Sequence, residues 1–234
     1  MRLGDVRLLV DVGVSLRRVK AALREIDESI DTLSAVLITH EHSDHISGLA
    51  RLLDAHPQLP VYATNGTLRA LALQCVDVVR LKAGRPRTLS SVDVIPFAVS
   101  HDAAEPIGVR LESGDFAVGI ATDLGVWTDE VVDALHGCPL VVVEANHDPE
   151  MLYRGPYPPF LKQRVAGHRG HLANKQAQTL LSRIADPVME CVVLAHLSEK
   201  NNTAELALRT ANEVFAGSGV RVCAAQPRKA GELF

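Results

Sequence analysis

Short apolar runs separated by turn-forming residues recur along the chain, and between them lie longer stretches in which apolar residues return every three or four positions. The short runs predict β-strands and the longer stretches predict amphipathic helices. The predicted strands are Arg7 to Val10, Ala35 to Ile38, Val61 to Ala63, Val92 to Phe97, Ile107 to Leu111, Phe116 to Thr122, Leu140 to Glu144 and Cys191 to Ala195. The predicted helices are Leu16 to Ile26, Ile46 to Ala55, Thr67 to Leu73, Asp129 to Leu135, Asn174 to Ile184 and Asn202 to Phe215. This mixture predicts an α/β protein.

The order of these elements narrows the architecture. The first two thirds are rich in strands, with a hairpin pattern across Glu112 to Asp115, and the last third alternates helix and strand. Two mixed sheets covered by helices accommodate this order, although the periodicity is also compatible with other α/β layer arrangements. A chain of 234 residues fits one folding unit, so we expect residues 1–234 to form a single domain. The proline-rich segment Gly155 to Pro159 predicts a surface loop.

Composition restricts the location and the partners. No apolar stretch approaches the ~20 residues needed to cross a bilayer, and the N-terminus lacks the pattern of a signal peptide, so we expect no membrane insertion and a cytoplasmic location. The formal net charge of −4 argues against a surface devoted entirely to nucleic acid. Residues 151–175 are nevertheless basic, aromatic and free of acidic side chains, which suits a nucleic-acid groove or an ordinary solvated face. Composition leaves the oligomeric state unknown.

Candidate chemistry is concentrated in Thr39 to His45, directly after the predicted strand that ends at Ile38. Its ligand-type side chains are His40, His42, Asp44 and His45. Imidazoles and carboxylates are ligands of zinc and manganese, and two such ions ~3.5–4 Å apart can hold a bridging hydroxide. Four such groups in one loop predict a dinuclear metal site. The alternative is a solvated polar loop with surface histidines.

Three more candidate ligands occupy equivalent places. Each is the first strong ligand after an apolar strand: His101, Asp123 and His196. A polar residue at a strand end is common by itself, but the shared position favours side chains that meet at one edge of a sheet.

These motifs resemble those of the metallo-β-lactamase superfamily, in which H-x-H-x-D-H is followed by a His, an Asp and a C-terminal His, all at strand ends. The match spans Ile38 to His196. The resemblance implies an αββα sandwich with two divalent metal ions, zinc or manganese, with iron also compatible. It places His40, His42 and His101 on one ion and Asp44, His45 and His196 on the other, with Asp123 bridging both. It also implies that Asp44 orients the attacking water.

Within the superfamily, the chain resembles the YycJ/WalJ-type proteins most. The shared motifs are Leu37 to His45, Ser100 to Asp102, Thr122 to Gly125, Glu144 to Asp148, Gly155 to Pro158 and His196 to Thr203. This resemblance implies metal-dependent hydrolysis of DNA ends or single strands by a 5′-to-3′ exonuclease. Proteins of this type usually open with an additional strand, so either the native chain starts upstream or the first sheet lacks its edge strand.

A second resemblance, to the tRNA 3′-processing nucleases, concerns Glu144 and His171. In those enzymes a Glu follows the strand beyond the bridging Asp, and a His lies downstream in a G-H-x-x-x-x-x-A context. A carboxylate that holds an imidazole orients its proton, so His171 is a candidate donor to the departing oxygen. The alternatives are a phosphate contact for His171 and, for Glu144, a structural bond to a loop backbone.

Six further residues are candidates for substrate binding. They are Asn146, His147, Lys162, Arg164, His168 and Arg169. The cations can follow a phosphate backbone, and tyrosines of the same segment can stack on unpaired bases. Asn146, His147 and His168 are also explained as loop residues that cap turns or bond solvent.

The leading hypothesis is therefore a phosphodiesterase acting on DNA. A small-molecule hydrolase of the same superfamily, such as a thioesterase, lactonase or cyclic-nucleotide phosphodiesterase, is the alternative, because its metal ligands would be the same. A non-enzymatic regulator that uses metal only for stability is a third reading, which the complete ligand set disfavours.

Overall fold

The computed structural model describes residues 1–73 and 77–226. Within these residues the chain divides into two compact units. The first comprises Met1–Pro96 and Ala103–Ile107, and the second comprises Phe97–Asp102 and Gly108–Gln226. That the whole chain forms one domain stays a prediction.

The first unit is built on a sheet of order β1-β2-β3-β4-β5. Its strands are β1 (Arg2–Leu3), β2 (Val6–Val10), β3 (Ala35–Leu37), β4 (Val61–Thr64) and β5 (Val78–Leu81). Strand β1 pairs with β2 in antiparallel fashion, and the pairs from β2 to β5 are parallel. A further antiparallel pair joins β6 (Arg87–Leu89) to β7 (Val92–Ala98).

Helices and a buried apolar layer complete this unit. The helices are α1 (Leu16–Glu25), α2 (Ser43–Ile46), α3 (Leu49–Ala55) and α4 (Asn65–Leu71), with a 3-10 turn at Ile30–Thr32. Val36 and Ile38 of the central strand region pack with Leu52 of α3, and all three are fully buried. Because parallel β2 and β3 are in register at Val10 and Leu37, the residues that follow them begin at the same sheet edge.

The second unit contains the strand order β12-β11-β10-β9-β8. The strands are β8 (Ile107–Ser113), β9 (Phe116–Ala121), β10 (Leu140–Glu144), β11 (Cys191–Ala195) and β12 (Arg221–Ala224). Strands β8 and β9 form the predicted hairpin, whose turn has Gly114 at φ 58°, and β9 to β12 are parallel. The carboxyl ends of β9, β10 and β11 therefore meet at one edge.

Five helices of the described residues belong to this unit. They are α5 (Asp129–Leu135), α6 (Pro149–Arg154), α7 (Pro159–Val165), α8 (Asn174–Ile184) and α9 (Ala204–Asn212). The core joins Leu135 of α5, Leu180 of α8 and Val192 of β11, none of which has exposed surface. None of the helices in residues 1–73 and 77–226 combines the length and apolar character needed to cross a bilayer.

The predicted strands and helices form, with three differences. The predicted helix from Ile46 divides into α2 and α3 at Gly48, whose N–H bonds to the Val12 carbonyl, so Asp44 and His45 lie inside a short helix rather than before one. The predicted loop Gly155 to Pro159 is shorter, because Pro159 begins α7, where a missing N–H costs nothing. The strands β1, β5, β6 and β12 and the helices α6 and α7 were not predicted, because their apolar residues are few or the segments short.

Candidate metal centre

The loop after β3 and the helix α2 bring imidazoles together in the first unit. His40 and His45 are 1% and 6% exposed, and their ring centroids lie 4.1 Å apart. The ring of His42 lies 4.7 Å from that of His40 in an edge-on arrangement. Asp44 is largely exposed on α2, with Oδ2 3.8 Å from Nε2 of His45. The predicted polar run thus brings its side chains close together, with His40 and His45 buried, His42 half-buried and Asp44 exposed.

Asp11, which sequence reasoning missed, orients this cluster. Its Oδ1 accepts the backbone N–H of Thr39 at 2.8 Å, and its Oδ2 accepts the Thr39 hydroxyl at 2.8 Å and Nδ1 of His45 at 2.7 Å. The Thr39 hydroxyl lies 3.1 Å from Nδ1 of His40. With Nδ1 donating, Nε2 of each ring carries the lone pair that a metal needs, the arrangement of a carboxylate–histidine–metal triad. Asp11 directly follows β2, the same position that identified the other candidates.

Glu144 has the corresponding position in the second unit and is fully buried. Its Oε1 accepts Nδ1 of His171 and Nδ1 of His196, each at 2.8 Å. Its Oε2 accepts the backbone N–H groups of Leu124 at 3.0 Å and Leu172 at 3.1 Å. Burial alone would raise the pKa of Glu144, but the hydrogen bonds from the two histidines hold it below its ordinary value. The imidazole partner and the loop-backbone partner, posed as alternatives, are both present.

Asp123 joins these groups in one donor cluster. It is 2% exposed, and its Oδ1 lies 3.4 Å from Nδ1 of His196 and 3.7 Å from Nδ1 of His171. One ligand atom each from Asp123, Glu144, His171 and His196 lies within 4.8 Å of the others. The carboxylate of Asp123 and the imidazole of His196 are donor groups that fit zinc or manganese, while Glu144 accepts hydrogen bonds from the rings of both His171 and His196.

A left-handed backbone marks three of these strand-end positions. Asp11 has φ 57°, Asp123 φ 58° and His196 φ 55°. Such values are uncommon for residues other than glycine, although Asp and His tolerate them better than most, and they persist where the surrounding structure holds them.

His101 is held by the loop that carries His171. Its Nδ1 lies 3.0 Å from the Gly170 carbonyl, and its own carbonyl accepts Nε and Nη2 of Arg169, both at 3.1 Å. Burial lowers the pKa of His101, and the charge of Asp123 opposes this only in part. A neutral ring with Nδ1 bonded to a carbonyl presents Nε2 as a ligand.

A close contact keeps this loop in place. A Cβ at Gly125 would collide with the backbone of Gly167, His168 and Gly170, and the Gly125 N–H bonds to the Ser100 carbonyl at 2.8 Å. Glycine therefore lets the segment after Asp123 pack directly against the loop, which positions His101 and His171 together.

The predicted ligands are thus distributed over the two units. His40, His42, Asp44 and His45 come together in the first unit, and His101, Asp123 and His196 come together in the second. Their assignment to individual ions stays a prediction.

The three cations proposed for substrate binding all have partners within the second unit. Lys162 Nζ donates to the Tyr153 carbonyl at 2.6 Å, and Arg164 Nε donates to Asp102 Oδ2 at 2.6 Å. Arg169 donates two hydrogen bonds to the His101 carbonyl. Charge reversal at these positions would therefore also disturb the local structure, and their contact with substrate stays a prediction.

The remaining candidates differ in their surroundings. Asn146 is buried and donates to the His196 carbonyl at 2.9 Å, so it supports that residue. His147 is 2% exposed, its Nδ1 has no hydrogen-bond partner among the described residues, and burial lowers its pKa to about 4. His168 is exposed, and its carbonyl accepts the Ser100 hydroxyl at 2.7 Å.

Comparison with known proteins identifies the family. Residues 6–197 match the Beta-lactamase superfamily domain. The chain is 34% identical over 223 residues to the exodeoxyribonuclease YycJ of Bacillus anthracis, covering 93% of this chain and 84% of that protein. It is 35% identical over 211 residues to the exodeoxyribonuclease WalJ of Streptococcus pneumoniae, covering 87% and 78%. The metallo-beta-lactamase fold protein YhfI of Bacillus subtilis superposes with a TM-score of 0.77 at 20% identity, covering 99% and 88% of the two chains, which confirms the expected fold.

Proposed function

Because the chain belongs to the metallo-β-lactamase superfamily and is similar to exodeoxyribonucleases over most of its length, we propose that it is a metal-dependent exonuclease that hydrolyses DNA from the 5′ end. The observation that carries the proposal is the buried carboxylate of Glu144, which holds His171 and His196 in one cluster with Asp123. The proposal includes the predicted cytoplasmic location.

The proposed ligands of two divalent ions are His40, His42, Asp44, His45, His101, Asp123 and His196. The donor chemistry within each unit suits zinc or manganese, and iron is also compatible. When bound, such ions stabilise negative charge on a phosphoryl oxygen and make a water molecule acidic enough to attack phosphorus.

The chain's own residues supply the proton transfers. His171 donates Nδ1–H to Glu144, which fixes the ring, and His171 is the proposed donor of a proton from Nε2 to the departing 3′ oxygen. Asp44, exposed beside His45, orients the attacking water by accepting its proton. Buried Glu144 keeps the ring of His171 in one orientation, so no reorganisation is needed during the reaction.

The proposed substrate is a single-stranded or end-exposed DNA. The segment from α6 through α7 to the loop before α8 carries the basic and aromatic side chains of residues 151–171, and cations with exposed aromatic rings suit unpaired nucleotides. Tyr153 and Phe160 are 79% and 72% exposed, as stacking on a base would require.

The decisive experiment is an assay of the purified protein, with metal analysis, on end-labelled single-stranded DNA, duplex DNA, RNA and a chromogenic phosphodiester. We expect metal-dependent, progressive release of mononucleotides from DNA, and a loss of at least a hundredfold in Asp44→Ala. The matched control is Asp54→Ala, at an exposed aspartate of α3 in the same unit. Hydrolysis of thioesters, lactones or cyclic nucleotides without cleavage of DNA would replace the proposal with a small-molecule hydrolase.

A further inference from the structure

A cavity of about 320 Å³ lies within the second unit, beside the two imidazoles that Glu144 holds. Its lining residues are Asn146, Tyr157, Val165, His171, His196, Leu197, Ser198, Glu199 and Lys200. Such a volume is at the lower end of the range of small-ligand sites, about 300–1,000 Å³. A volume of this size suits one small ligand.

The lining combines the groups that a nucleotide needs. Lys200 Nζ lies 5.7 Å from the centre of the Tyr157 ring, so a cation and an aromatic face occupy the same wall. Ser198 Oγ accepts the N–H and Nδ2–H of Asn201 at 3.2 and 3.3 Å, which leaves the hydroxyl proton available for another acceptor.

The loop that contributes Tyr157 to the cavity lining is held by close packing against the segment that contains Asn201. Fully buried Asn201 accepts the Asp148 N–H at its carbonyl at 2.8 Å. A Cβ at Gly155 would lie 2.5 Å from Asn201 Oδ1 and 2.6 Å from the Met151 carbonyl, so only glycine lets the loop lie this close. The loop that carries Tyr157 is thereby packed on the segment that carries Ser198 and Lys200.

We propose that this cavity binds the 5′-terminal nucleotide of the DNA strand and reads its 5′-phosphate. In this arrangement the base stacks on Tyr157, the 5′-phosphate bonds to Lys200 and Ser198, and the 3′ oxygen faces His171. The inference rests on the proposed nuclease function and adds to it a terminal phosphate requirement.

The reaction balances with water as the sole co-reactant. The water oxygen forms a bond to the phosphorus that joins the first and second nucleotides, and the bond from that phosphorus to the 3′ oxygen breaks. The 3′ oxygen keeps the electron pair and takes the proton of His171. The products are a nucleoside 5′-monophosphate and a strand with a new 5′-phosphate, which is again a substrate of the same cavity.

The test compares single-stranded oligonucleotides that carry a 5′-phosphate or a 5′-hydroxyl. We expect the protein to prefer the 5′-phosphate at least tenfold in kcat/KM, and Lys200→Met to reduce this ratio to about one. The 5′-hydroxyl substrate is the internal reference. Lys175→Met, at an exposed lysine of α8 that does not line the cavity, should keep the preference.

The aromatic wall is tested with two aromatic residues. Tyr157→Ala should raise KM for 5′-phosphorylated DNA about tenfold, whereas Phe116→Ala, at an exposed phenylalanine of β9 outside the proposed DNA-binding segment, should change KM less than threefold. Calorimetric titration of deoxyadenosine 5′-monophosphate in the presence of a chelator gives a second measurement, in which Lys200→Met and Tyr157→Ala should each weaken binding about tenfold. Thermal unfolding of each variant verifies folding.

The outcomes separate the two proposals. DNA cleavage without preference for a 5′-phosphate, or equal effects of Lys175→Met and Lys200→Met, would overturn the cavity assignment and leave the nuclease intact. Absence of cleavage of every phosphodiester with zinc and with manganese would instead remove the proposed function.

Discussion

Each unit uses one carboxylate at a strand end to hold imidazoles, but the two carboxylates are placed differently. Asp11 in the first unit has a side chain that is 15% exposed, holds His45 directly and reaches His40 through the Thr39 hydroxyl. Glu144 in the second unit has no exposure and holds His171 and His196 on a single oxygen.

This difference indicates which of the two carboxylates can be lost at the smaller cost in stability. Both oxygens of Glu144 are fully used, one by two imidazoles and the other by the backbone of Leu124 and Leu172. Asp11 can still exchange part of its bonding with water. Loss of Glu144 therefore leaves buried donors without an acceptor, which costs much more than loss of a partly hydrated bond.

The largest expected effect is that of Glu144→Gln. An amide has one accepting oxygen, so its NH₂ group must face either the two imidazole donors or the two backbone donors. We expect kcat for the phosphodiester to fall about 10³-fold, about 4 kcal/mol. Steady-state kinetics at saturating metal measures this, with Glu190→Gln at an exposed carboxylate as the control. Near-normal kcat would mean that Glu144 serves the loop backbone alone.

The second effect concerns His147, a buried imidazole to which no carboxylate of the described residues is hydrogen-bonded. Its pKa is lowered to about 4, whereas in the unfolded chain it is about 6.5. Between pH 6.5 and pH 4 the imidazole is therefore protonated in the unfolded state but not in the folded state. As a result, the free energy of unfolding falls as the pH falls, by up to about 3 kcal/mol.

His147→Gln removes this titration. In a chelator, urea unfolding between pH 7 and pH 4 should show a shallower loss of stability for the variant than for the unmodified chain. Parallel curves would show that His147 is not kept neutral by burial.

The third effect is that of Asp11→Asn on metal affinity. The amide cannot accept both Nδ1–H of His45 and the Thr39 hydroxyl, so the imidazoles lose their fixed orientation. We expect zinc or manganese to bind about 10–100-fold more weakly, the usual consequence of losing a partner of a ligand. Excess metal should restore turnover in Asp11→Asn but not in Glu144→Gln, and Asp54→Asn should bind metal normally. If excess metal restored the turnover of both variants equally, the proposed difference between the roles of the two carboxylates would be wrong.

The sequence predicted most of this site because its side chains follow a simple rule. Asp123 and His196 come directly after apolar strands, and parallel strands bring their carboxyl ends to one edge. Asp11 also follows a strand, β2, directly. Sequence reasoning missed it because the strand is short and because Asp11 lies far along the chain from the other candidate ligands.

Other features depend on contacts distant in sequence. The partners of Arg169 and Lys162 are backbone carbonyls, which no residue pattern specifies. The splitting of the helix at Gly48 likewise follows from the Val12 carbonyl, which lies on another segment of the chain.

The smallest effect tests whether Arg169 acts by positioning or by binding phosphate. Its two bonds to the His101 carbonyl are exposed to solvent at the arginine end, so Arg169→Gln should lower the free energy of unfolding by about 1 kcal/mol. If Arg169 positions His101, kcat for a small chromogenic phosphodiester should fall about threefold to fivefold, with little change in salt dependence. If it binds DNA phosphates instead, KM for DNA should rise, the salt dependence of KM should weaken and the small substrate should be unaffected. Arg183→Gln, at an exposed arginine of α8 that pairs with Asp129 and lies outside the proposed DNA-binding segment, is the matched control. A defect confined to DNA would show that the second unit orients His101 through Gly170 alone.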